Sequence, residues 1–205
     1  MVAEVGLAVV LVTGAGLMIQ SVRGLLNVDV GIRDTDQVLL TQFALPAAAY
    51  PDAEDQVLFH DRLLEGARGL PDVQAAALTT LAPPASGGQF HVRIEGVHDA
   101  WTMDLPVARN RSVSAGYFDA MGIPLLRGRT FTEDDRAGTP RVAVVDQAFV
   151  DEHFPDRDPV GEQIRTLTDD PLEIVGVVGN VANTGLGNDA QATTYLSYAQ
   201  SEGRP

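Results

Sequence analysis

The groups in this chain able to do chemistry are four histidines, the carboxylates and a few hydroxyls, and their spacing decides what they can be. His91, Glu95, His98 and Asp99 lie together in HVRIEGVHD. On a strand His91 and Glu95 would share a face, but His98 lies beyond Gly96, and the spacing fits no standard zinc pattern. A solvated loop or hairpin is the simpler reading. His60 sits among helix residues and His153 beside Phe154, neither with an obvious catalytic companion. Asp156 and Asp158 ahead of Gly161 echo the start of an EF-hand loop. The echo fails, because Val160 stands at the third ligand position and Leu167 at the twelfth. Ser86-Gly87-Gly88 has no G-x-S-x-G around it, and Gly176, Gly179, Gly185 and Gly187 lack dinucleotide spacing. Asn110-Arg111-Ser112 matches a glycosylation pattern inside an expected strand. The acid pairs Asp134/Asp135 and Asp169/Asp170 read as solvated turns. No catalytic, metal or cofactor-binding residue is expected, and no enzymatic activity.

Composition narrows the partners. The chain has 205 residues, enough for one ordinary domain or two small ones with a real core. It has no cysteine, which removes disulfides and thiolate chemistry, and no lysine, which removes a P-loop or Schiff base. A net charge of −14 repels nucleic acid and acidic membrane surfaces. Arg109, Arg111, Arg127 and Arg129 form the one local basic stretch, and their alternation is also how a strand presents a solvated face.

The elements that must position these groups follow from periodicity. Val5 to Val22 carries no charge, and as a helix it would span about 27 Å, enough for a bilayer core. It lacks the basic leader and the cleavage site of a signal peptide, so a retained transmembrane helix is expected. Residues 1–27 would form this helix and a stalk. Val38 to Leu45 reads as a strand. Asp52 is expected to cap a helix in which Val57, Phe59, Leu63, Leu64, Ala67 and Leu70 fall within about 160° of one another. Gly69-Leu70-Pro71 should end it through a left-handed glycine. Val73 to Thr80 reads as a second strand, completing a β-α-β unit. Further strands are expected at Gln89–Glu95, Val107–Val113, Leu125–Phe131, Arg141–Val145, Gln163–Leu167, Leu172–Val178 and Thr193–Leu196. Asp146 should cap a short helix stopped by Pro155. Val113 to Asp135 is the densest stretch: Ser114 as a cap, Gly122 as a left-handed stop, Pro124 as a breaker, and Thr132 opening an acidic turn.

Four blocks in order resemble the periplasmic core domain of MacB-like ABC transporter permeases, in the duplicated orphan or FtsX-like branch. They are GAGLMIQSVRGLLNVDVG; LPAAAYPDAEDQVLFHDRLLEGARGLPDV; VSAGYFDAMGIPLLRGRTFTEDD; and VAVVDQAFVDEHFPDRDPVGEQI followed by EIVGVVGNV and TTYLSYAQ. The resemblance implies an α+β fold: one N-terminal transmembrane helix, then a mixed α/β extracytoplasmic domain over 28–205. That domain would have a Porter-like β-α-β part at about 36–131, a Sabre-like part at about 132–190, and a returning strand at 191–200. It implies a bacterial inner-membrane location with the domain outside. It also implies a non-catalytic role, in which ATP-driven motion of membrane helices is coupled to export or periplasmic work. Implied partners are the bilayer through Val5–Val22, an ABC ATPase subunit, a second permease copy and an outer partner protein; nucleic acid is not among them. Family members have three more membrane helices after this domain, so the chain is expected to be a fragment. The competing expectation is a membrane-tethered binding module outside any transporter.

Overall fold

The computed structural model describes residues 6, 11–20, 37–46, 48–82, 88–98, 100–102, 104–166, 170–181 and 191–200. Eight strands form one mixed sheet: β1 Gln89–His91, β2 Arg93–Ile94, β3 Val107–Val113, β4 Leu125–Gly128, β5 Val142–Asp146, β6 Gln163–Arg165, β7 Pro171–Val178 and β8 Thr193–Ser197. Among the described residues, helices α1 Ala53–Arg68, α2 Tyr117–Ala120 and α3 Gln147–His153 accompany them, besides a helical run at 11–20 and a 3-10 turn at Tyr198–Gln200. The strand order is β1-β3-β8-β5-β7-β6-β2, and β4 also pairs with β7. The pairs β3·β8 and β5·β7 are parallel, and the others are antiparallel.

The two ends of that order are neighbours in sequence, separated only by Val92. The Val92 N–H donates to Pro106 at 2.8 Å on the β3 side, and Glu95 N–H donates to Gln163 at 2.9 Å on the β6 side. One extended stretch therefore bonds to both edges, and the sheet curls into a ring. Closure leaves few open edges to pair with other chains. The ring's interior is a single core: Val92 and Ile94, Ala108, Ala143 and Val145, Ile164, Leu172, Ile174 and Val177, and Leu196. Helix α3 plugs it with Phe149 and Val150, followed by Phe154.

A second core lies outside the ring. Tyr117, Phe118 and Met121 of the α2 region, with Ile123 and Phe131, cover Val113, Val142, Val144, Val178 and Tyr195. A bulge between β5 and β7 near Val144 lets β7 serve both cores: Leu172 and Ile174 face inward, then Val177, while Val175 and Val178 face outward. At the same point β4 runs against β7 so closely that a Cβ on Gly176 would lie 2.1 Å from the Arg129 carbonyl oxygen.

Several expectations are corrected. Val38–Leu45 and Val73–Thr80 form no regular strands; the second contributes only a bridge between Thr79 and Val113. The second segment meets β3 beyond the part that β1 covers, where Thr80 N–H donates to Ser112 and Ser114 N–H to Leu78, and the pairing goes no further. Helix α1 buries only Leu64, and Leu58, Leu63 and Leu70 are exposed. Asp52 makes no side-chain cap, and Gly69 is right-handed, while Asp72 takes the positive φ of 67°. Gly116, not Ser114, precedes α2, and the Ser114 hydroxyl instead accepts from Leu78 N–H at 2.9 Å. Of Val5–Val22, the structure describes positions 6 and 11–20, which are helical and exposed; the rest lies outside the described residues. Among the described residues no helix is long and apolar enough to cross a membrane. The described run at 11–20 covers about 15 Å, half a bilayer core.

Gly122 has the expected left-handed backbone, φ 63°. Gly122→Val should lower stability by about 1 kcal/mol or more, and Gly176→Ala by about 1–3 kcal/mol through the clash with β4. Urea unfolding checks both; an unchanged midpoint in Gly176→Ala would show that β4 can be displaced without cost.

Candidate functional site

The histidine and acid candidates are drawn apart. His91 Nδ1 lies 3.3 Å from the Leu105 carbonyl, and His98 Nδ1 accepts from Ile94 N–H at 3.3 Å, closing the turn after β2. Glu95 accepts from Arg165 Nε at 2.9 Å across β2 and β6. Asp99 is outside the described residues. No group of three or more His, Asp or Glu side chains among the described residues could hold a metal ion. His153 stacks edge-on against Phe149 at 4.7 Å, and burial lowers its pKa. Asp158 turns back to accept from Val160 N–H at 3.2 Å, while Leu167 and Asp169 lie outside the described residues. Ser86 and Gly87 do as well.

The basic stretch is not a patch. Arg111 is 3% exposed and donates to the Tyr117 hydroxyl at 3.2 Å, and its neighbour Asn110 is half-buried on β3. Arg109 donates to Gln191 at 2.6 Å, and Arg127 lies 3.7 Å from Asp158. Arg129 forms a bidentate pair with Asp135 at 2.7 and 3.0 Å. Asp135, expected to be solvated, is buried. Burial opposes its charge, but Arg129 and the Thr132 N–H at 2.8 Å outweigh it and hold its pKa below the ordinary value.

Asp146 does more than the cap expected of it. One oxygen, Oδ1, accepts from Phe149 N–H at 2.9 Å and from Thr193 N–H at 2.9 Å, so it joins α3 to the start of β8. The group is fully buried, and desolvation outweighs these bonds, raising its pKa from 3.8 to about 6. Between those values the folded chain keeps a proton that the unfolded chain has released. Asp146 therefore favours folding most below about pH 4, and that contribution fades as pH rises through about 6. The change is on the order of 2–3 kcal/mol. Asp146→Asn retains a carbonyl acceptor and should erase this slope; Asp146→Ala should erase it too and lie about 1–2 kcal/mol below the Asn variant at either pH. Urea melts at pH 4.5 and 7.5 check this; an Asn variant with the original slope would place the titration elsewhere.

The chain's entry and exit meet on α1. Phe43 of the entry segment 37–46 packs at 6.1 Å from Phe59 and 5.8 Å from His60. Tyr198 of the exit turn meets the same His60 edge-on at 4.8 Å, and its hydroxyl hydrogen-bonds His60 Nδ1. From the other side the loop after β4 grips the exit. The Ser197 hydroxyl donates to the Asp135 carbonyl at 2.7 Å, and Ala137 N–H to Ala199 at 2.9 Å. Gln200 accepts from Val142 N–H at 3.0 Å and donates to Pro140 at 2.8 Å. An open groove of about 230 Å³ lines the outer side of α1 between Tyr50, Leu58 and Phe59, with exposed Asp55 and Arg62 at its rim. Reading the sequence missed this junction, because its members lie 155 positions apart from Phe43 to Tyr198 (198 − 43). The paired aromatics of TTYLSYAQ were the available signal.

The segments 37–46 and 198–200 thus meet on α1, beside the ring. Residues 3–204 match the MacB-like periplasmic core domain, and the chain belongs to that family. It is 26% identical over 139 residues to the uncharacterized ABC transporter permease YknZ of Bacillus subtilis, covering 68% of this chain and 31% of that protein. It is 39% identical over 66 residues to the macrolide export ATP-binding/permease protein MacB of Neisseria gonorrhoeae, covering 32% of this chain and 10% of that protein. The chain thus aligns with a third or less of the length of these relatives. Among solved structures, the periplasmic region of MacB from Actinobacillus actinomycetemcomitans matches with a TM-score of 0.48 at 20% identity, over 66% of this chain and 53% of the other. The extracellular domain of YknZ matches with a TM-score of 0.45 at 17% identity, over 67% and 62%. Family membership stands on the sequence match.

Proposed function

We propose that this chain is the extracytoplasmic domain of an ABC transporter permease subunit, and that it relays ATP-driven motion of membrane helices to work outside the membrane without catalysing a reaction itself. The observation that carries this reading is the convergence of entry and exit on His60, beside a family match that spans nearly the whole chain. A displacement of either flanking segment would act on α1 and the ring at one place. Val5–Val22 would be the first membrane helix in the bacterial inner membrane, with 1–27 as helix and stalk. An ABC ATPase subunit, a second permease copy and an outer partner protein complete the assembly.

Within the domain, a Porter-like part at about 36–131, a Sabre-like part at about 132–190 and a returning strand at 191–200 form the proposed division. The parallel pairing of β8 with β3 supports a return of the last strand to the first part. Pairings β2·β6 and β4·β7 cross the 131/132 division, so the two parts would move as one body.

The test is recovery of partners. Cross-linking in native membranes followed by purification of the full chain should recover an ATP-binding subunit, and carbonate washing should leave the chain in the membrane fraction. Repeated failure to recover any ATPase, with the chain still membrane-bound, would leave the tethered binding module and overturn the transporter reading.

A further inference from the structure

We infer that α1 is a hinged arm latched to the chain's exit by the His60–Tyr198 contact, and that protonation of His60 opens the latch. The consequence for transport rests on the reading above, that 37–46 and the residues after Gln200 lead to moving helices. The latch itself does not.

The arm is lightly held. Helix α1 buries only Leu64, and Leu58 and Leu63 on its length are 47% and 38% exposed. At its C-terminal end Arg68 donates to the Ala115 carbonyl at 3.3 Å and lies 3.5 Å from Glu133, an exposed pair that water screens. The chain after the arm is firmly anchored: Leu78 and Ser114 exchange bonds of 2.9 and 3.0 Å, and Thr80 N–H donates to Ser112 at 3.0 Å. Between arm and anchor lies Gly69-Leu70-Pro71-Asp72. Asp72 is the one non-glycine residue with positive φ among the described residues. A turn that already holds a disfavoured backbone, next to a weakly packed helix, is where bending costs least.

The latch chemistry is set by the ring. The Tyr198 hydroxyl can donate to Nδ1 of a neutral imidazole or accept from an imidazolium N–H, so protonation acts on the latch through the cost of holding a cation between these rings. On α1, the Gln56 backbone and Asp61 favour the cation. The entry segment offers only the uncharged Phe43, and the exit turn offers Tyr198. Burial against these rings is the largest effect, and it lowers the His60 pKa despite the other two. The same burial, with Asp61 adding to it, pushes the Tyr198 phenol up to about 12, so it stays neutral throughout. Release of the arm rehydrates His60 and restores its ordinary proton affinity. Acid therefore favours the open arm, below the ordinary histidine value of about 6.5.

Hydrogen–deuterium exchange on the full chain in nanodiscs tests this at pH 7.5 and 5.5, with rates corrected for intrinsic pH dependence. In the wild type, exchange across 53–70 should rise severalfold at pH 5.5, while 142–146, 171–178 and 193–197 stay protected. Tyr198→Phe should exchange fast across 53–70 at both pH values. His60→Gln, which keeps a carbonyl acceptor but cannot titrate, should lose the acid response; because it retains Asp146, the comparison isolates His60. Equal corrected exchange at the two pH values in the wild type, an acid response that survives in His60→Gln, or a response shared by 142–146 would each overturn the latch. ATPase recovery does not enter this measurement, so the latch and the transporter reading fail separately.

Discussion

The structure depends on one short stretch, Gln89–Ile94, bonding to two strands at once. Its first half pairs with β3 and its second with β6, and that shared use turns a seven-step order of strands into a ring. Without closure the interior core would be one face of an open sheet, and Phe149 and Phe154 would have no cavity to fill. Backbone bonding of this kind is individually modest and collectively decisive, since any buried N–H or C=O left without a partner costs free energy. Beyond the three residues that β1 covers, β3 is open on that side, and the segment at 78–80 adds a single bridge there.

The ring tolerates one buried carboxylate because that group completes the backbone accounting. Asp146 sits where β5 ends, α3 begins and β8 starts, and a single oxygen serves two N–H groups there. An apolar residue would leave both donors unsatisfied. The cost is that the carboxylate is desolvated, which makes the ring's stability depend on pH. Asp135 is the opposite case. Its bidentate arginine and a backbone N–H overcome burial, and the ionised group becomes the anchor of the loop that grips the exit turn.

A well-packed ring joined to a lightly packed arm has two levels of stability in one chain. The two cores resist deformation, and of α1 and its entry segment only Val38 packs against them. Force applied at the junction of Phe43, His60 and Tyr198 would therefore move the ring as a unit or move the arm against it. Neither outcome requires a catalytic group. That is the physical sense in which a domain of this family can work by shape and connection.

The sequence by itself determined the local elements. Short strand-like runs bounded by turn residues placed β3, β5, β7 and β8 within a residue or so, Asp146 was legible as a cap, and Gly122 as a left-handed stop, because each is set by neighbours in the chain. It also determined the family, since four ordered blocks need no coordinates to be matched. What only the tertiary structure decided is everything that depends on distant partners. The helical period of α1 could not say that most of its apolar face lacks a cover, nor could alternation along β3 say that Arg111 points into packed protein. Asp134 and Asp135 look alike in sequence, yet one is exposed and the other buried against Arg129. Closure through Val92 and the meeting of Phe43 with His60 and Tyr198 are long-range facts. They follow from which strand edges remain free once the ring has formed, and no local pattern records that.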